Sequence, residues 1–404
     1  MAMQRQKSMK QENDEVFDLI KAEKKRQANA INLIASENKV SSNVLKALGS
    51  VFTNKYAEGY PGKRYYAGNE IVDKVESLCQ KRALELFGLN DEEWSVNVQP
   101  LSGSPANFAT YFSLVPIGEK IMGMTLDSGG HLTHGHPASF SGRIWQSVQY
   151  SVDKETQTLD YDTIEELAIK ERPVLIVTGY STYSRIIDFA RFRKIADKAG
   201  AILMADISHI AGLIAGGVYP SPFPYVDIVT TTTHKTLRGP RGAMIFSRKQ
   251  FSSKIDRGII PGTQGGPHIN NIAAIAVCLE EAKQDSFKEY AKQVVANAKA
   301  FADEFQKLGY KVISGGTDDH LFMLDLYSSI GVTGKEAQLA LEKEGIIANM
   351  NKIPYDTRTP ENPSGIRFGT PTITTNGYKE DDVRKLAKRI DKILRNVKQT
   401  NTAN

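Results

Sequence analysis

The stretch VDIVTTTTHKTLRGPRGAMIFS, Val226 to Ser247, decides how this chain folds. Its run Ile228-Val229-Thr230-Thr231-Thr232-Thr233 is branched at Cβ throughout, which favours an extended backbone. Gly239-Pro240 and the Gly242 behind Arg241 then break the regularity and turn the chain. A second strand, GAMIFS, follows. The loop between them carries one lysine, Lys235, next to His234. Desolvated and beside the fixed cations Arg238 and Arg241, that lysine is expected to have a depressed pKa and to serve as a nucleophile toward a carbonyl carbon. Taken alone, a lysine in a basic loop is more often a solvated surface residue. The rest of the chain has to decide.

On the N-terminal side of this stretch the pattern is strand, turn, helix, repeated from residue 95. VNVQPLSGSPANFATYFSLV is a strand, a Gly/Ser turn and a helix; KIMGMTL, SVQYSV, PVLIVTGY and AILMAD are strands. Helical patterns over 161–170 and 189–198 separate some of them. Such alternation predicts an α/β fold with a mostly parallel sheet covered on both faces, and functional groups at the carboxyl ends of its strands. A long helical stretch, 271–309, leads to a smaller α+β unit. That unit contains the strand pair in GYKVISGGTDDHLFMLDL, a helix over 335–343, the strand SGIRFGTP and a last helix over 378–398 with a clean apolar face. Ahead of the sheet, 13–31 reads as a charged amphipathic helix with Val16, Leu19 and Ile20 on one stripe. TNKYAEGYPGKRYYAG, Thr53 to Gly68, is too poor in aliphatic residues for a core element and reads as an ordered loop. The divisions expected are an N-terminal helical arm and loop over 1–60, a large domain over 61–284 and a small domain over 285–404.

Composition narrows the function classes. The chain has 404 residues, 41% hydrophobic and 24% charged, which fits a large globular domain plus a smaller one. A net charge of +5 spread over so many ionisable groups does not indicate nucleic acid. No apolar run reaches the ~18 residues of a membrane span. The start, MAMQRQKSMK, is basic but lacks the apolar segment of a secretory signal. Cys79 and Cys278 have neither disulfide-framework nor metal spacing, so the compartment expected is the cytoplasm.

Several further pieces carry chemistry. Ser102-Gly103-Ser104 with Pro105 at the first helical position offers backbone N–H groups and two hydroxyls to an anion such as phosphate. Asp206 closes a buried strand, with His209 three residues on, and a buried carboxylate needs a cationic or donor partner such as a protonated ring nitrogen. In GGHLTHG, His131 and His134 allow either a zinc ligand pair or an imidazole stacked on a planar cofactor, and the flanking glycines and lack of a third ligand speak against zinc. Arg367 is placed to grip a carboxylate in a bidentate pair. A phosphate cradle, a carboxylate, a flat stacking partner and a carbonyl-seeking lysine are the requirements of a pyridoxal 5'-phosphate site.

With these pieces in place, the chain resembles the serine hydroxymethyltransferase (glycine hydroxymethyltransferase) family. The resemblance rests on LIASEN (33–38), TNKYAEGYPGKRYY (53–66), SGSPANF (102–108), GGHLTHG (129–135), DISHIAGL (206–213), TTTTHKTLRGPRG (230–242), PGTQGGP (261–267), SGGTDDHL (314–321) and SGIRFGTP (364–371). It implies a fold-type I, aspartate-aminotransferase-like domain binding pyridoxal 5'-phosphate. The implied reaction moves the hydroxymethyl carbon of serine to tetrahydrofolate, giving glycine and 5,10-methylenetetrahydrofolate. Lys235 would hold the cofactor covalently with His234 beside it, Asp206 would face the pyridine nitrogen, His131 would stack on the ring, and His209 would lie near the phenolic oxygen. Ser102, Gly103 and Ser104 would bind phosphate, completed by Gly265 and Gly266 of a partner subunit; Ser181 would neighbour the cofactor. Ser36 and Arg367 would bind the amino acid. Tyr56, Glu58 and Tyr66 would come from the second subunit of a homodimer (or tetramer), Glu58 as proton-transfer residue and folate ligand, with Tyr65 and Asn351 as further folate contacts. A threonine or 3-hydroxy-amino-acid aldolase and an α-methylserine hydroxymethyltransferase are the alternatives. The chain departs from the family pattern at Ser128, Ala243, Thr263 and Met350.

Overall fold

The computed structural model describes residues 14–403, so the basic start MAMQRQKSMK lies outside the described residues. The strand–turn–helix pattern becomes one large sheet. Its strands stand in the spatial order Trp94–Asn97, Ala243–Arg248, Ile228–Thr232, Ile202–Asp206, Leu175–Gly179, Lys120–Met124, Gln146–Tyr150. The last five are mutually parallel, and Ala243–Arg248 runs antiparallel to both neighbours. The molecule is therefore α/β with a mostly parallel sheet, as its alternation of elements predicts.

Side chains alternate across each strand, and the two faces enter two separate cores. Ile121, Leu175, Val177, Met204, Ile228 and Ile245 pack under the helix Gly103–Leu114. Met122, Ile176, Leu203, Val229, Met244 and Phe246 pack on the opposite face against residues of Glu70–Leu86, Phe189–Ala199 and Ile269–Ala282. A sheet buried on both faces reads as continuous apolar strands, which is how these appear in the sequence.

The helical stretch after residue 269 is two helices, Ile269–Ala282 and Asp285–Lys307, with a break at Lys283 and Gln284. The second helix bridges the cores. Phe287, Ala291 and Val294 belong to the large one. Phe301 and Phe305 belong to the small one, with Phe322, Phe368 and the face Val383, Leu386, Ile390 and Leu394 of the last helix, Glu380–Ala403. The small sheet is antiparallel in the order Lys311–Val312, Leu321–Asp325, Gly365–Gly369, Asn349–Asn351. LIASEN is pinned to this unit. Ile31 and Asn32 pair with Ile346 and Ile347, the Gly369 N–H donates to the Leu33 carbonyl at 2.8 Å, and a Cβ on Gly369 would lie 2.3 Å from the Ala35 Cα.

The first helix, Glu15–Asn29, is capped by Asp14 but has no buried residue, and Leu19 is 68% exposed on its apolar stripe. The Tyr-rich segment is an ordered loop with a two-residue hairpin, Gly59–Tyr60 against Lys63–Arg64. Arg64 is its clamp: the guanidinium donates to the carbonyls of Ala57 (2.9 Å) and Gly59 (2.8 Å) and pairs with Asp73 and the fully buried Glu76. Among the described residues no helix is long and apolar enough to cross a membrane.

Candidate active site

A cavity of about 380 Å³ opens where the parallel strands end. Lys235 follows Ile228–Thr232, Asp206 ends Ile202–Asp206, Ser181 follows Leu175–Gly179, and His131 follows Lys120–Met124; all four line the cavity. This is the carboxyl edge at which open α/β sheets place ligands. Ser36 and Arg367 reach the same space from the small-domain side, and Ser102, Gly103, Ser104, His209 and His234 complete the wall.

Asp206 is held by three donors. Asn107 Nδ2 lies 2.8 Å and His134 Nε2 3.1 Å from Oδ2, and the Ser208 N–H lies 3.1 Å from Oδ1. Burial alone would raise this carboxyl; the hydrogen bond from His134, the charge of Lys235 and the Asn107 amide outweigh it and keep the group well below the usual carboxylate range. Asp206 is therefore a buried anion placed to face a cation. His134 is thus a support for Asp206 and not half of a metal pair. Among the described residues no group of three or more His, Cys, Asp or Glu side chains is arranged to hold a metal ion. His131 Nδ1 bonds the Thr133 hydroxyl at 2.7 Å, and burial pushes its ring down to about 4, so it presents a neutral face to the cavity.

Lys235 is pushed down to about 8, first by burial and then by the charges of Arg367 and Arg241, with Asp206 pulling the other way. The expectation that Arg238 contributes is corrected. Its guanidinium lies 4.4 Å over the Tyr290 ring and 5.5 Å over that of Phe287, turned away into packing. The second cation is Arg367, from the small sheet. Its Nε bonds Asn349 Oδ1 (3.1 Å) and its Nη1 bonds the Ser181 carbonyl (2.9 Å), which leaves Nη2 without a bond to the described residues, and the side chain lines the cavity. Burial lowers even this guanidinium, to about 10.

At the anion cradle the helix begins two residues earlier than expected, at Gly103, so Pro105 stands at its third position and not its first. Ser102 is the N-cap of Gly103–Leu114 but makes no side-chain capping bond, so its hydroxyl and the first-turn N–H groups remain available to a ligand. Gly103 is required: a Cβ there would lie 2.7 Å from Thr232 Cγ2, so a larger residue would lift the loop off the strand.

Tyr56, Glu58, Tyr65, Tyr66, Gly265, Gly266 and Asn351 do not line this cavity. All but Asn351 lie in or beside a second cluster. Tyr56 donates to Glu58 Oε1 at 3.1 Å, and its ring meets Tyr66 edge-on at 4.9 Å. A Cβ on Gly266 would lie 3.2 Å from Tyr56 Cζ, and one on Gly265 3.4 Å from Glu58 Oε1. Tyr65, packed edge-on to Tyr66, is 84% exposed. Asn351 turns its amide to the Lys352 carbonyl and the Met323 sulfur. Ser128, Ala243, Thr263 and Met350 line no part of the cavity.

Residues assigned no role from the sequence also line the cavity, among them Asn107, Tyr180, Ser208 and Thr232. Asn107 carried a signal: it stands one helical turn after Gly103, on the face that looks back at the cradle.

Known proteins similar to this chain point to one family. The family model described as serine hydroxymethyltransferase matches residues 9–390. A serine hydroxymethyltransferase of Koribacter versatilis is 52% identical over 395 residues, covering 98% of this chain and 92% of the relative. One of Desulfotalea psychrophila is 50% identical over 389 residues, covering 96% and 90%. The chain belongs to the serine hydroxymethyltransferase family.

Proposed function

From that membership we propose that the protein catalyses the reversible transfer of the hydroxymethyl carbon of L-serine to tetrahydrofolate, giving glycine and 5,10-methylenetetrahydrofolate, with pyridoxal 5'-phosphate as cofactor. One observation carries the reading. An amine held near pKa 8 shares a single cavity with an anionic Asp206 and an arginine, Arg367, that has a nitrogen to spare.

The residues present fit the cofactor. Lys235 would hold its aldehyde carbon, Asp206 its ring nitrogen and His131 its ring face. Ser102, Gly103 and Ser104 would hold phosphate, with Ser181, His209 and His234 around the ring. His234 Nδ1 is buried without a hydrogen-bond partner in the protein, which fits a ring nitrogen that a bound group would engage. When bound, the cofactor supplies a conjugated ring that accepts the electron pair released at the substrate's α-carbon.

The chain's own groups do the rest. Asp206, fixed as an anion, keeps a proton on the nitrogen it faces. Arg367 takes the serine carboxylate through Nη2, helped by Ser36, and so orients the bond to be broken. Glu58, with Tyr66 near it, moves a proton to or from the serine hydroxyl oxygen. Tyr65 and Asn351 contact folate. Because Glu58, Tyr56, Gly265 and Gly266 gather away from their own cavity, we assign them to the cavity of a second subunit in a homodimer. The uncovered stripe of Glu15–Asn29 suits burial against that partner. The free buried thiols Cys79 and Cys278 suit a reducing compartment, and we assign the protein to the cytoplasm.

A serine-to-glycine assay with and without tetrahydrofolate tests the reading. Strong stimulation by folate is expected. Cleavage of threonine or 3-phenylserine with no folate effect on serine would make the protein an aldolase instead.

A further inference from the structure

The reaction described above leaves the motif SGGTDDHL without a task, yet the structure sets one of its residues against the cavity wall. His320 Nε2 lies 3.1 Å from His209 Nδ1. The ring centroids are 5.3 Å apart and the rings are tilted by 29°. That separation is what two imidazoles show when they meet nitrogen to nitrogen, not face to face. His209 follows a strand of the large sheet, whereas His320 leads into Leu321–Asp325 of the small one, so the contact joins the two units.

Both rings are neutral. Burial first, then the charge of Lys235, pushes His209 well below its usual range. Burial, then the charges of Arg367 and Lys235, pushes His320 down to about 3. A neutral imidazole donates through one nitrogen and accepts through the other, so the contact allows two arrangements. His320 Nδ1 decides between them. It is buried and has no hydrogen-bond partner. Asp319 Oδ1 lies 3.7 Å from it, beyond hydrogen-bond reach, and already accepts from the Leu321 N–H (2.8 Å). Asp319 Oδ2 is taken by the Tyr180 phenol at 2.6 Å. A proton on His320 Nδ1 would be a buried N–H with no acceptor, whereas a proton on Nε2 meets His209 Nδ1 at 3.1 Å. The proton therefore sits on Nε2 and points at His209.

We propose that His320 is a positioning residue: its bond to Nδ1 holds His209 in the tautomer protonated at Nε2, so that the cavity wall presents a hydrogen-bond donor there. A donor at that point suits an oxygen on the ring of the bound ligand, and only this last clause rests on the pyridoxal reading.

Nitrogen-15 NMR of histidine-labelled protein without cofactor reads the tautomer, with the His209 signals assigned by their loss in His209→Asn. Expected is a protonated Nε2 and a bare Nδ1 on His209, lost to a mixture in His320→Leu and kept in His320→Gln, whose amide reaches the same place. A protonated Nδ1 on His209 in the wild-type protein overturns the proposal, and that measurement needs no variant to fold. In the cofactor-loaded enzyme, His320→Leu should lose about tenfold in kcat with KM for serine little changed, the scale of losing an outer hydrogen bond that orients a functional ligand, and His320→Gln should recover most of it. Equal kcat in His320→Leu and wild type would also overturn it. A wild-type protein that takes up no pyridoxal phosphate would refute the cavity's assignment while leaving the tautomer result standing.

Discussion

Asp206 and Glu58 are both carboxylates with a place in the proposed reaction, and they stand in opposite surroundings. Asp206 is buried and takes three donors from the protein, which hold it as an anion. Glu58 is partly exposed in a loop and takes the Tyr56 hydroxyl, with a glycine pair alongside. A charge that must stay fixed is surrounded by donors that a proton cannot displace cheaply. A group that must give and take a proton needs fewer fixed partners and a position the substrate can reach. The cavity wall is assembled from strand ends of one chain; the loop cluster does not line that cavity and leaves Tyr65 84% exposed.

The sharpest way to break this contrast is to remove the lysine. Lys235→Ala should lower serine turnover by roughly three orders of magnitude or more, the scale seen when a covalent nucleophile is deleted, while tetrahydrofolate binding persists. Wild-type rates in that variant would dissolve the cavity's role. Next comes the clamp of the loop. Arg64→Ala leaves Glu76 as a fully buried charge without its partner, so unfolding free energy should fall by about 3 kcal/mol in a denaturant titration. A loss under 1 kcal/mol would mean the loop is held by something else.

Glu58→Gln should reduce folate-dependent serine cleavage by about 10²-fold, with much less effect on folate-free cleavage of 3-phenylserine. Equal losses in both assays would remove its proton-transfer role. Co-expressing that variant with Lys235→Ala sharpens the point about sharing. Hybrid dimers would contain one cavity with both residues intact, so activity above either parent is expected; no gain would place Glu58 in its own chain's site. The smallest effect is in pH. Burial and the Arg367 and Arg241 charges disfavour the Lys235 ammonium, so the free amine should appear as pH rises through about 8, below the ordinary lysine range. Borohydride trapping of pyridoxal on the cofactor-free protein measures that midpoint, and a value above 10 would mean the amine is solvated.

Much of this organisation is legible from local pattern. The carboxyl-edge positions of Lys235, Asp206 and His131 follow from where short apolar or β-branched strand runs give way to polar turns. The long helix 271–309 was harder to read, because Lys283 and Gln284 break it without a glycine or proline. Arg238 misled for a related reason: nearness in sequence to Lys235 says nothing about which way a long side chain turns, and Tyr290 offered it a ring.

The order of strands and helices and the chemical inventory at their ends follow from local pattern, because side-chain periodicity and turn chemistry act over a few residues. Tertiary structure alone decided the pairings. His134 and Asn107 meet at Asp206, Arg367 crosses from the small sheet to depress Lys235, and His320 reaches His209. Those contacts span 72, 99, 132 and 111 residues of chain, and they exist because burial in a close-packed interior leaves each polar group only the partners that the fold brings within reach.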